Sequence, residues 1–368
     1  MRVGSARFCI SPKKEFYLIG YRSKNREYPA KGIYDDIYCN SLLFEYQGQQ
    51  VFLFSADFLE FEEAMAEDVK TILQNEYGIE RDLVLLCATH NHSSLVSYHR
   101  SWYTGKFDQE YYDFLIQTII ESYKVCLETM REATAQYGKK VIPGYYGNRN
   151  HPGQLADNEI IVVKFYDENN QPFTGLVNWA VHSTVISAEN DLLTSELAGN
   201  VSKKLFEPFG FYPAMVVGAA GDSSNRNERQ GNDFKELERV STALAEEIGK
   251  MEMTGNIGLG AIRYQALYHT VHHDSFHLDV KFQVINIGNL QLFVFPGELG
   301  SSFGITLKAH CSELGLVLGY TNGYHKYFMP EEEYGLSFET IDSNIPKGEP
   351  EKIISKLIQA AQYLRDCP

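Results

Sequence analysis

The chain has 368 residues, enough for one large domain or two of ordinary size, and its 44% apolar and 22% charged residues are typical of a soluble globular protein. The net charge of −15 argues against sequence-independent binding of nucleic acid or of an anionic membrane surface, because both require a basic face. No apolar run is long enough to span a bilayer and no signal-peptide h-region is present, so we expect no transmembrane segment and, unless a signal has been removed, a cytoplasmic location.

Strand and helix patterns alternate along the chain. Buried strands are predicted at 51–54, 83–88, 160–165, 176–181 and 215–217, followed by strand-like hairpins from about 258 to 295. Amphipathic helices are predicted around 65–77, ending at Gly78; from Asp108, as the N-cap, to Tyr123; from Ser195 to Pro208; and at 237–248, 302–313 and 352–365. The polar, turn-forming stretches near 98–106, 144–158, 222–233 and 322–349 lie at the ends of these strands.

No internal repeat, low-complexity tract or Pro/Ser-rich linker separates these elements, so we predict one domain over residues 1–368. Strands that alternate with helices predict an α/β fold, with a mixed α+β fold as the alternative. We expect central mixed β-sheets flanked by helices. The active site is expected on loops at the strand ends, because the scaffold beneath such loops is rigid.

Two histidines follow the apolar run 83–86 in the segment Cys87-Ala88-Thr89-His90-Asn91-His92-Ser93. Along a strand, their i, i+2 spacing places both imidazoles on one face. Neutral imidazole is a good zinc ligand, so the pair is a candidate beginning of a metal site. Taken alone, it is equally compatible with two polar residues at the end of a strand.

Other predicted strands also end in residues that can carry chemistry. One ends in Ala180-Val181-His182, and another runs through the small-residue turn Gly218-Ala219-Ala220-Gly221 into Asp222-Ser223-Ser224. Adjacent hydroxyls after such a turn can present a nucleophile or an oxyanion donor. Further along the chain, Pro296-Gly297-Glu298 and Tyr324-His325-Lys326-Tyr327 follow the same pattern. Each segment alone also fits a turn, a helix cap or a core residue, but strand ends in an open α/β sheet converge on one crevice.

The cysteines restrict the ligands that a zinc site can use. The six are Cys9, Cys39, Cys87, Cys126, Cys311 and Cys367, and none forms a C-x-x-C pair. In a chain of this size the pattern predicts free thiols in a reducing compartment. A zinc site would therefore be built from histidine, carboxylate and other oxygen ligands.

Taken in order, these segments resemble the neutral (non-lysosomal, also called alkaline) ceramidase family, zinc-dependent amidases that hydrolyse N-acylsphingosine. The segments that match the family's motifs are Thr89-His90-Asn91-His92-Ser93-Ser94, Asn148-Arg149-Asn150-His151-Pro152, Ala180-Val181-His182-Ser183-Thr184, Gly221-Asp222-Ser223-Ser224-Asn225-Arg226, Pro296-Gly297-Glu298-Leu299, Asn322-Gly323-Tyr324-His325-Lys326-Tyr327 and Glu332-Glu333-Tyr334. Similar residues at Val3-Gly4, Ile10-Ser11-Pro12 and Gly20-Tyr21 extend the resemblance over nearly the whole chain. Each motif is short, but their shared order makes the resemblance specific.

Carried over by position, the resemblance implies roles for individual residues. The implied ligands of a catalytic Zn²⁺ are His90, His182, Glu298 and Tyr327. The implied catalytic residues are Ser224 as the nucleophile, His92 as a hydrogen-bonding partner of the reacting group, and Arg149 beside the oxyanion. Asp57 matches an acidic residue of the family, and we expect it to orient a histidine.

The implied activity is zinc-dependent hydrolysis of an N-acyl amide, in ceramide or in another small-molecule or lipid N-acyl compound. Water activated by zinc either attacks the carbonyl itself or deprotonates Ser224 for attack, and the sequence does not choose between them. Arg149 would stabilise the oxyanion and His92 would pass a proton to the leaving amine. From the net charge of −15 we expect no nucleic-acid partner, and the oligomeric state remains open.

Three departures from the family's pattern bear on the substrate more than on the metal. The family's Ser-Pro-Asn becomes Ser224-Asn225-Arg226, and the glycine-proline loop after the second histidine becomes Ser94-Leu95-Val96. A second family tyrosine, which helps at the oxyanion, has Phe338 as its nearest match, and Phe338 lacks a hydroxyl. By this resemblance we also expect the chain to correspond to a short form, without the C-terminal β-sandwich domain of the long ceramidases.

Two other functions remain open from the sequence. A metal-free serine hydrolase could use Ser224 with a histidine base, although Ser224 lacks the Gly-x-Ser-x-Gly elbow. A non-catalytic sensor or binding protein could keep the same fold and perhaps the metal. A separate histidine-rich stretch, His269, His272, His273 and His277, is predicted to be a solvated strand or hairpin rather than a second metal site.

Overall fold

The computed structural model describes residues 1–272, 277–311 and 313–366. Its strands, in chain order, are β1 (Arg2–Cys9), β2 (Gly32–Ile33), β3 (Tyr38–Tyr46), β4 (Gln49–Ala56), β5 (Val84–Ala88), β6 (Arg131–Glu132), β7 (Thr134–Val141), β8 (Gly147–Asn148), β9 (Glu159–Tyr166), β10 (Pro172–Trp179), β11 (Leu192–Leu193), β12 (Ala214–Val217), β13 (Ser223–Ser224), β14 (Gly255–Ile257), β15 (Ile262–His272), β16 (His277–Ile287), β17 (Leu290–Val294), β18 (Glu298–Leu299), β19 (Leu314–Leu318) and β20 (Tyr327–Phe328). The helices are α1 (Glu63–Tyr77), α2 (Gln109–Glu128), α3 (Glu196–Lys204), α4 (Phe206–Phe209), α5 (Phe234–Gly249), α6 (Ser301–Ala309), α7 (Phe338–Asp342) and α8 (Glu349–Asp366).

Three larger sheets form the scaffold. Their strand orders are β5-β4-β3-β1-β6, β12-β10-β9-β7-β14 and β15-β16-β17-β19. Each sheet is mixed: β4 and β5, β10 and β12, and β17 and β19 pair in parallel, whereas the other neighbours pair antiparallel. A parallel pair needs a crossover connection, and α1, α3 and α6 lie in these three crossovers.

The three sheets share one core, and helices cover their outer faces. The shared core contains Val3, Leu42 and Phe44 of the first sheet, Ile161, Val163 and Val216 of the second, and Ile285, Leu292 and Leu316 of the third. Helices α1, α2, α3 and α5 bury their apolar stripes in a second cluster, while α6 and α8 cover the third sheet. The predicted α/β class, with central mixed sheets flanked by helices, is confirmed.

Some elements differ from the sequence-based predictions for identifiable reasons. The patterns do not predict β1, in which Gly4 interrupts the apolar alternation; there a Cβ atom would lie 1.8 Å from the Cys126 carbonyl oxygen. Glycine at this position therefore lets α2 approach the strand closely. Helix α3 ends at Lys204, before Pro208, which instead lies within the short helix α4.

The remaining sequence-wide predictions concern thiols and membrane spans. Cys9, Cys39, Cys87, Cys126 and Cys311 are free, as predicted, and Cys367 lies outside the described residues. Burial raises the pKa of the Cys87 thiol to about 12, so this thiol stays protonated near neutral pH. No helix in the described part of the chain is both long and apolar enough to cross a bilayer.

Candidate active site

The carboxyl ends of the parallel strand pairs meet at one place. His90 follows β5, His182 follows β10, Glu298 follows β17 and Tyr320 follows β19. Backbone hydrogen bonds join these ends across the sheets: the Ala88 N–H donates to the Tyr320 carbonyl over 3.2 Å. The predicted convergence of strand ends is therefore observed, and it arises from three sheets rather than one.

The first two histidines do not sit on a strand. β5 ends at Ala88, and His90 has a φ of 54°, in the left-handed region. Asn91 fixes this turn, because its side chain donates to the Thr194 carbonyl over 2.7 Å and accepts from the Ser93 N–H over 2.7 Å. The argument from alternation along a strand was wrong, but the turn produces the same result: the Nε2 atoms of His90 and His92 lie 3.1 Å apart.

Backbone carbonyls orient two of the imidazoles. His90 Nδ1 lies 2.9 Å from the Leu59 carbonyl oxygen, and His182 Nδ1 lies 3.0 Å from the Ser223 carbonyl oxygen. A carbonyl oxygen can only accept, so each Nδ1 carries the proton and each Nε2 keeps its lone pair in the neutral ring. Both rings thus present the ligand atom to the same buried point.

Glu298 completes this group. Its carboxylate is fully buried, with Oε2 2.9 Å from His182 Nε2 and Oε1 3.5 Å from His90 Nε2. The Tyr320 hydroxyl donates to Oε2 over 3.2 Å, and the Tyr324 hydroxyl donates to Oε1. These two tyrosines were not predicted, although Tyr324 stands inside the motif that singled out Tyr327.

The ligand atoms of His90, His92 and His182 all lie within 4.8 Å of one another, a group that could hold a metal ion. Burial lowers the pKa of each of these imidazoles well below its usual value. No hydrogen bond satisfies the buried His182 Nε2 within the described residues. Three imidazoles with a neighbouring carboxylate are a donor set that suits zinc, so the residues present fit the ion implied by the sequence.

Arg149 and Tyr327 lie together beside this group. Arg149 Nη2 donates to the Tyr327 hydroxyl over 3.3 Å and to the Gly221 carbonyl over 2.8 Å. Arg149 Nε donates to Glu339 Oε1 over 2.6 Å, and both side chains are buried. Glu339 was not predicted: sequence comparison drew attention to its neighbour Phe338, whose ring packs against Tyr327 and is otherwise largely exposed.

Ser224 lies in a two-residue strand between the histidine group and Arg149. β13 pairs with Gly147–Asn148, next to Arg149, and the Ser223 carbonyl binds the His182 ring. Ser224 Oγ accepts a hydrogen bond from the Arg226 N–H over 3.2 Å. The side chain is buried and lies outside the set of described residues that line the cavity above the histidines.

Asp57 does not orient a histidine, contrary to the prediction. Its carboxylate accepts from the Tyr38 N–H over 2.9 Å, because the chain leaves β4 at Ala56 and turns the side chain towards the neighbouring strand. Its backbone carbonyl accepts from the Asn91 side chain over 3.2 Å. Burial raises the pKa of the Asp57 carboxyl to about 7, and the orienting groups are the two backbone carbonyls instead.

A cavity of about 760 Å³ opens above the histidine group. Its lining includes His90, His92 and Arg149, and aromatic residues such as Trp102 and Tyr103. The volume suits a small molecule or part of a lipid. The loops predicted at 98–106, 222–233 and 322–349 all contribute to it, so the site is built on loops at strand ends as expected.

His99, which also lines the cavity, is held between two carboxylates. Its Nε2 lies 2.5 Å from Glu60 Oε1, and its Nδ1 lies 2.9 Å from Glu62 Oε1. Burial disfavours the charged ring, but the hydrogen bonds to Glu60 and Glu62 outweigh it and raise the pKa of His99 to about 9. His99 is therefore a cation in the folded protein at neutral pH.

We expect this cation to make stability fall in mild base. The folded pKa of His99 exceeds the unfolded value of about 6.5, so its contribution is full below pH 6.5 and is lost as the pH rises through 9. The loss amounts to about 3 kcal/mol in the free energy of unfolding. Denaturant titrations at pH 6.5 and 9 should show a decrease in the wild type that is much smaller in His99→Gln. The variant His310→Gln, at an exposed histidine, should behave as the wild type. A decrease in stability between pH 6.5 and 9 that is as large in His99→Gln as in the wild type would contradict the assignment.

The described histidines of the second histidine-rich stretch lie on two antiparallel strands. His269 and His272 lie on β15 and His277 on β16, while His273 lies outside the described residues. His269 Nε2 lies 2.5 Å from Glu349 Oε2, on α8. Among the described residues, the histidine, cysteine and carboxylate group arranged to hold a metal is that of His90, His92 and His182.

Comparison with known proteins places this geometry in context. The family model described as neutral/alkaline non-lysosomal ceramidase, N-terminal, matches residues 2–208. A solved structure described as "Ceramidase complexed with C2" is similar with a TM-score of 0.83 and 16% identity, over 99% of this chain and 75% of that chain. The crystal structure of neutral ceramidase from Pseudomonas aeruginosa gives a TM-score of 0.82 and 16% identity, over 99% of this chain and 74% of that chain. At this identity, the structural similarity establishes a shared fold.

Proposed function

The chain belongs to the neutral/alkaline non-lysosomal ceramidase family, and on that premise we propose that it is a zinc-dependent amidase that hydrolyses ceramide or a related N-acyl compound. One observation carries the proposal. Three imidazoles and the Glu298 carboxylate turn their ligand atoms to one buried point beside the floor of a cavity of about 760 Å³. A catalytic zinc site needs such a set together with access for a substrate.

His90, His182 and Glu298 would hold the ion, as the sequence implies, with Tyr327 nearby as a weaker ligand. His92 is placed to be either a ligand or a hydrogen-bonding partner of the substrate, because its Nε2 faces that of His90 at 3.1 Å. When bound, zinc supplies Lewis acidity that polarises a carbonyl and makes water acidic near neutral pH. The hydroxyls of Tyr320 and Tyr324 hold the Glu298 carboxylate in place.

The position of Arg149 supports a role in stabilising the oxyanion. Its guanidinium lines the cavity and is fixed by Glu339, the Gly221 carbonyl and the Tyr327 hydroxyl. A donor that is already oriented requires little reorganisation when the carbonyl oxygen gains charge. His92 lines the same cavity and would pass a proton to the departing amine.

Ser224 is the proposed nucleophile. Its position between the His182 contact and the Arg149 strand supports this role. Attack by Oγ on the amide carbon would form an acyl ester, the C–N bond would break, and the amine would leave with a proton. Water would then hydrolyse the ester to release the carboxylic acid and restore the hydroxyl.

A metal-free serine hydrolase is less well supported. Such an enzyme needs a histidine base hydrogen-bonded to the serine hydroxyl. In the described residues, His182 Nδ1 binds the backbone carbonyl of Ser223, and Ser224 Oγ accepts a hydrogen bond from the Arg226 N–H. We therefore favour activation by the metal site over a serine–histidine pair.

The two adjacent serines allow a matched test of the nucleophile. We expect Ser224→Ala to lower kcat/KM for a short-chain fluorescent ceramide by about 10³-fold or more, because the covalent step is lost. Ser223→Ala removes a hydroxyl that is equally buried but next to the proposed site, and it should retain activity within about tenfold. Equal turnover by Ser224→Ala and the wild type would assign direct attack to water instead.

The proposed reaction is tested by following both products. Zinc-loaded protein with the short-chain ceramide should release carboxylic acid and sphingosine in equal amounts. Release of neither product from ceramide or from a panel of smaller amides, with the metal still bound, would overturn the proposed function. That outcome would favour the binding protein considered from the sequence.

A further inference from the structure

The charged lining of the cavity contrasts with the charge of the whole chain. The protein carries a net charge of −15, yet the described lining has five permanent cations and two carboxylates. The cations are Arg22, Arg149, Arg226, Arg229 and Lys326, and the carboxylates are Glu339 and Asp342. Positive charge is therefore concentrated at the cavity of an acidic protein, and a cavity lined by one sign of charge raises the local concentration of ligands of the other sign.

The two carboxylates account for only part of this charge. Glu339 pairs with Arg149 over 2.6 Å. Asp342 is shared, with Arg22 at 2.9 Å and Lys326 at 3.3 Å. Within the lining, three cations thus share two carboxylates, while the buried Glu298 carboxylate beneath them contacts the histidine group.

Arg226 and Arg229 form no ion pair with a carboxylate among the described residues, although the Glu196 and Glu236 carboxyls are near enough to interact with the charge of Arg229. Arg229 Nη1 donates to the Thr184 and Val185 carbonyls over 2.9 and 3.0 Å, which holds the guanidinium at the loop that follows His182. Arg226 is exposed, and its backbone N–H binds Ser224 Oγ. Both side chains line the cavity, and both belong to the loop that departs from the family's Ser-Pro-Asn.

A neutral substrate would use this arrangement poorly. Filling the cavity with ceramide, whose polar atoms are hydroxyls and an amide, would displace water from two guanidinium groups without supplying a countercharge. A carboxylate or phosphate would supply both the charge and acceptors for several N–H donors. Specificity for an anionic substrate would then have two sources. The guanidinium groups bind the anionic group, and they disfavour a neutral ligand that leaves their charge without a partner.

We propose that the preferred substrate is an anionic N-acyl amphiphile, in which a carboxylate or phosphate close to the scissile amide binds Arg226 and Arg229. This proposal rests on the proposed amidase function. Hydrolysis adds water across the C–N bond and releases a carboxylic acid and an amine, one of which keeps the anionic group. Trp102, Tyr103 and Phe338 are among the apolar side chains of the lining, against which an acyl chain can pack.

Two matched pairs of substrates, with the same dodecanoyl group, test the proposal and separate the two sources of charge. N-dodecanoylglycine is compared with N-dodecanoylethanolamine, and N-dodecanoylsphingosine 1-phosphate with N-dodecanoylsphingosine. We expect zinc-loaded protein to give a kcat/KM at least about tenfold higher for the anionic member of at least one pair, with the preference falling as salt is raised. The pair that shows the preference identifies the anionic group.

Arg226→Gln is the informative variant. The Arg226 side chain is exposed, and within the described residues its guanidinium makes no hydrogen bond, so the substitution should leave the fold intact. It should reduce the anionic preference about tenfold, and Arg226→Lys should restore most of it. Arg263→Gln removes the same charge from β15 and should leave the preference unchanged. The inference is overturned, while the amidase function stands, if both neutral substrates react at least as fast as their anionic counterparts and Arg226→Gln changes kcat/KM equally for the two members of each pair. Cleavage of none of the four substrates would overturn the amidase function and the inference with it.

Discussion

Replacement of His182 by alanine is expected to remove the bound metal and to lower kcat/KM for the amide substrate by about 10³-fold or more. The ring is fully buried, its Nδ1 is held by the Ser223 carbonyl, and its Nε2 faces Glu298. Loss of one ligand from a small donor set weakens the site directly, since alanine offers no replacement atom. Metal content measured by elemental analysis should fall from about one ion per chain to about none.

The control for this variant is His310→Ala. His310 is exposed at the end of α6, where its Nδ1 lies 2.8 Å from the Thr306 carbonyl oxygen, so its removal should change neither metal content nor turnover. Full metal content and turnover in His182→Ala would show that the histidine group is not the catalytic metal site. Circular dichroism of His182→Ala shows whether the variant is folded. A folded variant without metal would assign the loss of activity to the lost ligand rather than to misfolding.

Replacement of Arg149 by methionine is expected to lower kcat by about 10²–10³-fold, the effect of removing one oxyanion donor. It should also lower the free energy of unfolding by about 3–5 kcal/mol, because the buried Glu339 carboxylate loses its countercharge. Glu339 would keep one hydrogen bond, from the Asn150 side chain over 2.8 Å. The measurements are steady-state kinetics and denaturant titration at neutral pH.

A double variant separates these two effects. Arg149→Met with Glu339→Gln should recover much of the stability, since no buried charge is left unpaired, but it should recover none of the lost kcat. Recovery of activity together with stability would show that Arg149 acts only through the fold. Glu339→Gln alone should keep the guanidinium in the cavity and lower kcat by a smaller factor, as expected of a positioning residue.

The fold was predictable where hydrophobic period and local signals agree. The apolar stripe from Met65 to Leu73 lies on α1, and this helix ends before Gly78, which has a φ of 74°. Asp108 caps α2 by accepting hydrogen bonds from two backbone N–H groups. The sequence does not predict β7, because its polar face carries lysines and lacks a clear alternation. The arrangement as three sheets around one core depends on long-range pairing, on which periodicity within a single segment carries no information.

The site was predictable to the extent that each group follows a strand end. His90, His92, His182 and Glu298 do come together, because the parallel strand pairs of the three sheets have their carboxyl ends at one place. The orienting partners could not be predicted, since they are backbone carbonyls of Leu59 and Ser223 that are distant in sequence. Glu339 was overlooked for a related reason: a carboxylate in a short surface helix shows its role only when Arg149 is seen to reach it.

The central claim is that a metal held by the histidine group drives amide hydrolysis, and one measurement tests it most directly. Purified protein is assayed with a short-chain fluorescent ceramide and with an anionic N-acyl substrate, side by side as zinc-loaded and chelator-treated samples, with metal content determined for each. We predict turnover in the zinc-loaded sample, its loss on chelation in proportion to the metal removed, and its recovery when zinc is restored. Equal turnover in a sample shown to contain no metal would contradict the claim and assign the chemistry to the protein's own side chains.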